Sequence, residues 1–127
     1  MSKARSITVL TDASLITCIV QRGAADSIVS AAHDAGAQGA TVFYARGTGV
    51  RERLGLLGVA VEVEKEVVNI VVASDQVERV FEKMYLAGQL DTPGMGFMFV
   101  TRLDKAATYI PPEVSRRLEA ADQVDEV

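Results

Sequence analysis

The sequence predicts an α+β fold with the element order βαββαβ, in which two helices cover one face of a sheet. The two halves of the chain share one plan, in which a strand is followed by a helix and a second strand. Each half also places a Gly-x-Gly pair beside a strand end, Gly47 with Gly49 and Gly94 with Gly96. Glycine reaches backbone angles and close approaches that other residues avoid, so both pairs predict turns that a ligand can touch.

The first half is predicted to contain a strand over Leu15–Gln21, a helix over Ala24–Ala35 and a strand over Ala40–Arg46. Gly23 is expected to cap the helix and Gly36 to end it. The helix has a narrow apolar face with small residues at three- and four-residue spacing: Ala25, Ile28, Val29, Ala32 and Ala35.

The second half is predicted to contain a strand over Val67–Ala73, a helix over Gln76–Ala87 and a strand over Gly96–Arg102. Asp75 and Glu78 stand three residues apart, as in a variant of the capping box. The buried stripe of this helix is expected to be Val77, Val80, Phe81 and Met84, before Gly88 ends the helix.

Between the halves, residues 59–64 alternate and Val67–Val72 is almost entirely β-branched. The charged run Glu64-Lys65-Glu66 is expected to separate a projecting ribbon from the buried strand. Residues 47–58 are predicted to form an exposed loop. Its leucines are either tucked against the subunit or kept for a partner, and the pattern leaves both open: Leu54, Leu56 and Leu57.

Composition indicates one soluble domain over residues 1–127. The chain has 127 residues with 49% hydrophobic content, enough to fill one core. A net charge of -4 argues against nucleic-acid binding. The sequence shows neither a signal peptide nor an apolar run long enough to insert in a membrane, so we expect a cytoplasmic protein. The lone cysteine, Cys18, is expected to be buried in a strand.

Both ends of the chain carry additional elements in the prediction. Residues 1–14 form an N-terminal extension in which Ser6–Leu10 favours an extra strand, which could pair at a sheet edge or with a neighbouring subunit. Residues 111–127 begin with two prolines and are expected to form a short helix followed by an acidic tail.

The chain resembles the PII signal-transduction proteins over roughly residues 15–110. The most specific shared motif is Gly39-x-Thr41 followed by Gly47-x-Gly49, and a glycine-bounded loop before a strand ending Phe99-Val100 is similar too. The resemblance implies a ferredoxin-like βαββαβ sandwich with an antiparallel sheet, assembled as a homotrimer. It also implies that residues 47–66 are the T-loop, which recognises partners, that Gly94 and Gly96 belong to the B-loop, and that residues 108–112 take the place of the C-loop.

The same resemblance implies a ligand cleft between neighbouring subunits, where glycine amides and a lysine hold an anion. Arg46, Arg51 and Arg53 are candidates for additional cations. The cleft residues carried over are Gly39, Thr41, Gly47, Gly49, Lys65, Gly94 and Gly96.

Departures from the family change the expected effector. Met95 and Phe97 stand where typical members have an acidic residue and a lysine, and Thr108 and Ile110 stand where they have arginines. Each missing charge-assisted bond costs about 1.5 to 3 kcal/mol, which disfavours a triphosphate. Arg51 also replaces the glutamine linked to 2-oxoglutarate, and the T-loop contains no tyrosine, so neither 2-oxoglutarate sensing nor uridylylation is expected. AMP, ADP or bicarbonate fits better.

The leading hypothesis is therefore a sensor that binds a small anion and controls a partner through its T-loop, and divergent relatives suggest a membrane transporter as the partner. The alternative is an interaction module that keeps the trimer without binding a ligand. A third hypothesis, a trimeric metal-tolerance protein, is disfavoured because His and Cys are scarce. An enzyme is not expected: His33 lies off the apolar stripe of its helix, and the sequence offers no catalytic or metal-binding motif.

Overall fold

A computed structural model of the protein describes residues 5–47 and 63–109. Six strands and two α-helices lie in these ranges. In chain order they are β1 Val9–Leu10, β2 Ala13–Gln21, α1 Ala25–Asp34, β3 Thr41–Gly47, β4 Val63–Ala73, a 3-10 turn Ser74–Gln76, α2 Val77–Ala87, β5 Gly96–Leu103 and β6 Ala106–Ala107.

Four strands form the main sheet in the order β3-β4-β2-β5, and every neighbouring pair is antiparallel. The centre of the sheet is β4 beside β2, whose register pairs Thr17 with Asn69 and Gln21 with Lys65. The edge strand β5 pairs Phe99 with Thr17, and the other edge strand, β3, pairs Thr41 with Asn69. The predicted ferredoxin-like βαββαβ sandwich is confirmed.

The core lies between the helices and one face of the sheet. Alternate residues of β2 and β4 enter it because side chains along a strand point to opposite faces. The predicted apolar stripes of both helices face this core, with Val29, Val77 and Phe81 at its margin. The members with no exposed surface include Ile16, Cys18, Val20, Ile28, Ala32, Val68, Val80 and Met84.

Each helix ends in a turn closed by backbone hydrogen bonds. The Gly36 amide donates to the His33 carbonyl and the Ala37 amide to the Ala32 carbonyl, while Gly36 has a φ of 116°, so its predicted role as a helix stop is confirmed. At the end of α2 the residue with positive φ is Gln89, at 54°. Gly88 instead lets the end of α2 lie close to Ile28 of α1, since a Cβ at Gly88 would lie 2.9 Å from Cδ1 of Ile28.

The start of α1 depends on a carboxylate from another strand. Ala24 stands at the N-cap and offers no side-chain acceptor. One oxygen of Glu66, on β4, accepts hydrogen bonds from the amides of Gly23 and Ala25 at 2.9 and 3.0 Å. Glu66 is 8% exposed, and its negative charge lies at the positive end of the helix dipole. A side chain from β4 therefore caps α1.

Three sequence predictions about local structure were wrong. Gly23 does not cap α1, because Ala24 occupies the N-cap position. The run Glu64-Lys65-Glu66 does not separate two segments, because β4 begins at Val63 and includes all three residues. Asp75 and Glu78 form no capping box, because Asp75 lies inside the 3-10 turn and no side chain caps the start of α2.

The extra N-terminal strand exists and is shorter than predicted. Val9 and Leu10 form β1, which pairs with Ala107 and Ala106 of β6 in a separate two-stranded sheet. Its partner is therefore a segment of the same chain, which the sequence analysis did not identify as a strand. The predicted helix and tail over residues 111–127 lie outside the described residues.

Replacing Glu66 by Ala is expected to lower the free energy of unfolding by about 1 to 3 kcal/mol, because two amides at the start of α1 lose their acceptor. Glu64→Ala is the matched control on the same strand. Glu64 pairs with Arg22 at 3.2 Å, but these side chains are 52% and 73% exposed, so its loss should cost less than about 1 kcal/mol. Denaturant unfolding at one protein concentration measures both, and equal losses would contradict the capping role.

Cys18 provides a pH-dependent test of the core. Burial raises the pKa of its thiol from 9.0 to about 11, so the thiolate fraction at pH 8 should fall about 100-fold and reaction with a disulfide reagent should slow accordingly. Burial of the neutral thiol stabilises the fold fully below about pH 9, and this contribution is lost as pH rises through about 11. Chain unfolded in guanidinium is the control, and equal rates in both states would place Cys18 outside the core.

Candidate functional site

One end of the sheet collects most of the candidate residues that the structure describes. The antiparallel order brings together the last residues of β2 and β3 and the first residues of β4 and β5. We call this region, which contains Gln21, Gly47, Val63 and Gly96, the glycine end of the sheet. The opposite end carries β1 and β6.

The turn before β5 has a backbone shape that requires glycine at two positions. Gly94 has a φ of 83° and Gly96 a φ of 139°. A Cβ on Gly96 would overlap the backbone oxygen of Ile19 and lie 3.0 Å from Cα of Val20. The missing side chain of Gly96 therefore lets β5 approach β2 closely. The turn is closed by the amide of Met95, which donates to the Thr92 carbonyl at 3.3 Å.

The turn between β2 and α1 contacts both neighbouring segments at the glycine end. The side-chain Nε2 of Gln21 donates to the Gly94 carbonyl at 2.6 Å. Arg22 forms the ion pair with Glu64, and the Gly23 amide donates to Glu66. Three consecutive residues thus join the turn before β5 to the start of β4.

Lys65 lies in the same region and supplies a positive charge. It stands on β4 opposite Gln21 of β2 and Ala45 of β3, and it is half-buried. The pleat directs it to the face of the sheet that the helices do not cover. Arg46 is exposed on β3, where it is opposite Glu64. A small anion at the glycine end would therefore have Lys65 nearby.

Gly39, Thr41 and Gly47 lie on the opposite side of the sheet from Gly94 and Gly96. Thr41 and Gly47 begin and end β3, Gly39 precedes it, and β5 is the other edge strand. Three strand spacings separate the two edges, which is about 14 Å. One copy of the chain therefore does not bring the two sets of candidates together. Their predicted meeting in a cleft between subunits stays a prediction.

The remaining candidates fall outside the described residues, so the structure does not place them. They are Gly49, Arg51, Arg53, Leu54, Leu56 and Leu57.

The face of the sheet opposite the helices carries several exposed apolar side chains. We call it the open face. The hydroxyl of Thr17 donates to Oδ1 of Asn69 at 2.8 Å at its centre, so these polar groups satisfy each other. Phe97 and Phe99 stack with their ring centroids 6.0 Å apart. The exposed apolar residues of this face are Phe43, Val71, Phe97 and Phe99.

A groove between α2 and β5 is the wrong place for an anion. It has a volume of about 320 Å³ and is lined by Val77, Glu78, Phe81, Glu82 and Val100. Its two carboxylates repel negative charge and no cation among the described residues lines it, whereas at the glycine end Lys65, Arg46 and Arg22 accompany Glu64 and Glu66. The glycine end is therefore the better candidate for an anion site.

Within residues 5–47 and 63–109, no group of three or more His, Cys, Asp or Glu side chains is arranged to hold a metal ion. His33 is exposed in the last turn of α1, as expected from its position off the apolar stripe. In the same ranges no helix is long and apolar enough to cross a membrane.

Sequence reasoning missed Glu66 and Gln21. A glutamate directly before an apolar strand run was a usable signal for Glu66, because an acidic residue entering a core needs a partner. The contact of Gln21 with Gly94 spans 73 positions, and no local pattern indicates it.

Comparisons with known proteins agree with this architecture. The crystal structure of Arabidopsis thaliana PII bound to citrate superposes with a TM-score of 0.59 and 26% sequence identity, covering 74% of this chain and 79% of that one. No curated protein matches the chain. The model of the nitrogen regulatory protein P-II family matches residues 13–111. Because this match spans most of the chain, the protein belongs to the P-II nitrogen regulatory protein family.

Proposed function

We propose that this protein is a trimeric regulator that binds a small anionic effector between its subunits and controls a partner protein. P-II proteins are regulatory, assemble as trimers and bind partner proteins. The similar plant structure contains citrate, a small carboxylate anion. The observation that carries the proposal is the glycine end, where a glycine turn and Lys65 lie at the end of the same sheet.

The open face supports assembly. Stacked Phe97 and Phe99 are 56% and 43% exposed, and Phe43 is similarly exposed on the other edge strand. An apolar face of this kind on a sheet favours an interface. Three copies packed through their open faces would bury it. In such an assembly β3 of one copy can approach β5 of the next, which offers a route for Gly47 and Gly94 to line one cleft.

The charges at the glycine end favour a small effector over a triphosphate. Lys65, Arg46 and Arg22 are the cations described there, and Arg22 is already paired with Glu64. Met95 and Phe97 occupy B-loop positions that are charged in typical members. Each charge-assisted hydrogen bond contributes roughly 1.5 to 3 kcal/mol, so a site with few cations holds few phosphates. AMP, ADP and bicarbonate are the effectors we favour.

The partner in this proposal is a membrane transporter, a class carried over from the family resemblance. Contact would be made by the T-loop over residues 47–66, whose leucines lie outside the described residues. An effector can control that contact only if it favours one state of the loop over another. The protein itself would act in the cytoplasm.

Assembly through the open face is tested by measuring mass in solution with light scattering. The wild-type chain is expected to be a trimer, and Phe99→Glu to give monomers, because a charge would be buried between copies. Leu86→Glu is the matched control, since Leu86 is 56% exposed on α2 and lies in the helix layer. A trimer that survives Phe99→Glu would contradict this interface.

Effector binding is tested by isothermal titration with AMP, ADP, ATP, bicarbonate and citrate. At least one is expected to bind, and Lys65→Ala should weaken that ligand about 10- to 100-fold because a charge-assisted contact is lost. Lys105→Ala is the control, because Lys105 is exposed near the opposite end of the sheet. Absence of heat with all five would favour the ligand-independent interaction module instead.

A further inference from the structure

We propose that the turn between β2 and α1, residues 21–25, transmits changes between the turn that carries Gly94 and the start of β4. We call residues 21–25 the connecting turn. The inference deepens the proposed function, on which its ligand-dependent part rests, because it identifies a path from the effector site toward the partner loop. It assigns positioning roles to Gln21 and Glu66.

The first contact in this path holds the Gly94 turn. The Gln21 side chain reaches the Gly94 carbonyl at 2.6 Å, in a turn where Gly94 has a positive φ. An effector that binds the backbone of this turn would reorient its peptide groups. Because Gln21 donates a hydrogen bond to one of these peptide groups, the end of β2 would shift with it.

The second contact holds the start of β4. Glu66 accepts from both Gly23 and Ala25, so one carboxylate oxygen ties two amides of the connecting turn to β4. The exposed ion pair of Arg22 with Glu64 follows the same path, but solvent screens it. The buried bonds of Glu66 should therefore carry most of the coupling.

The position of β4 makes this path useful for regulation. β4 begins at Val63, directly after residues 48–62, and its first residues pair with the end of β3. A shift of Glu66 would act on the strand that leads out of the predicted T-loop. Lys65 lies between Glu64 and Glu66, so the residue that we expect to contact the anion is part of the same strand.

Hydrogen exchange followed by mass spectrometry tests the path in the ligand-free protein. Gln21→Met removes the donor while keeping a similar side-chain length. Exchange at residues 63–66 should rise about threefold to tenfold, as expected when one hydrogen bond to a neighbouring segment is lost. Gln38→Met is the matched control, because exposed Gln38 also donates to a glycine carbonyl, that of Gly36 at 3.4 Å. It should leave residues 63–66 unchanged.

Two further variants guard against a change in global stability. Glu66→Gln should raise exchange at residues 92–96, because the path works in both directions, whereas Arg22→Met should have little effect there. A rise spread over the whole sheet, or a rise in the Gln21→Met variant confined to residues 92–96, would overturn the proposal.

Titration with ADP then distinguishes failure of the path from failure of the proposed function. In the wild type, ADP should slow exchange at residues 92–96 and at residues 63–66. In Gln21→Met the second effect should disappear while the first remains. Binding of ADP that never affects residues 63–66 overturns the path and leaves effector binding intact. If ADP does not bind, the ligand-free comparison still decides the path.

Discussion

The Glu66 carboxylate is the interaction on which the arrangement of this domain depends. It lies at the boundary between the sheet and the helix layer. There it accepts hydrogen bonds from two backbone amides at the start of α1, for which the N-cap residue offers no side-chain acceptor. Burial of a carboxylate is costly unless hydrogen bonds compensate for lost water, and the helix terminus supplies both donors and a favourable dipole. Helix and sheet are thereby fixed relative to each other next to the candidate site.

The glycine end combines a packed core with a turn that is held by polar contacts. The apolar core positions α1, α2 and the two central strands, while the turn before β5 is held by backbone bonds and by Gln21. A polar contact of this kind is strong enough to define a geometry and weak enough to rearrange when a ligand competes for the same backbone groups. The P-II family's regulatory role is consistent with such a combination.

Periodicity predicted most of the fold because burial imposes it. The stripes of α1 and α2 and the alternation of β2 and β4 follow from which side chains must leave water. The charges of β4 predict the wrong local structure: Glu64-Lys65-Glu66 has the composition of a solvated turn, although Glu66 is buried against a helix whose Ala25 lies 41 positions away. The site showed the same limit. Its glycines were visible in the sequence, but Gln21 became relevant only when the chain brought it to Gly94.

The pairing of β1 with β6 lies apart from the candidate site. The segments that lead into and out of the domain are joined at the end of the sheet farthest from Gly94. A label attached to β1 or β6 would therefore lie away from the glycine turns. A fluorescent dye on one of these two strands could follow ligand binding while access to the glycine turns at the other end of the sheet is preserved.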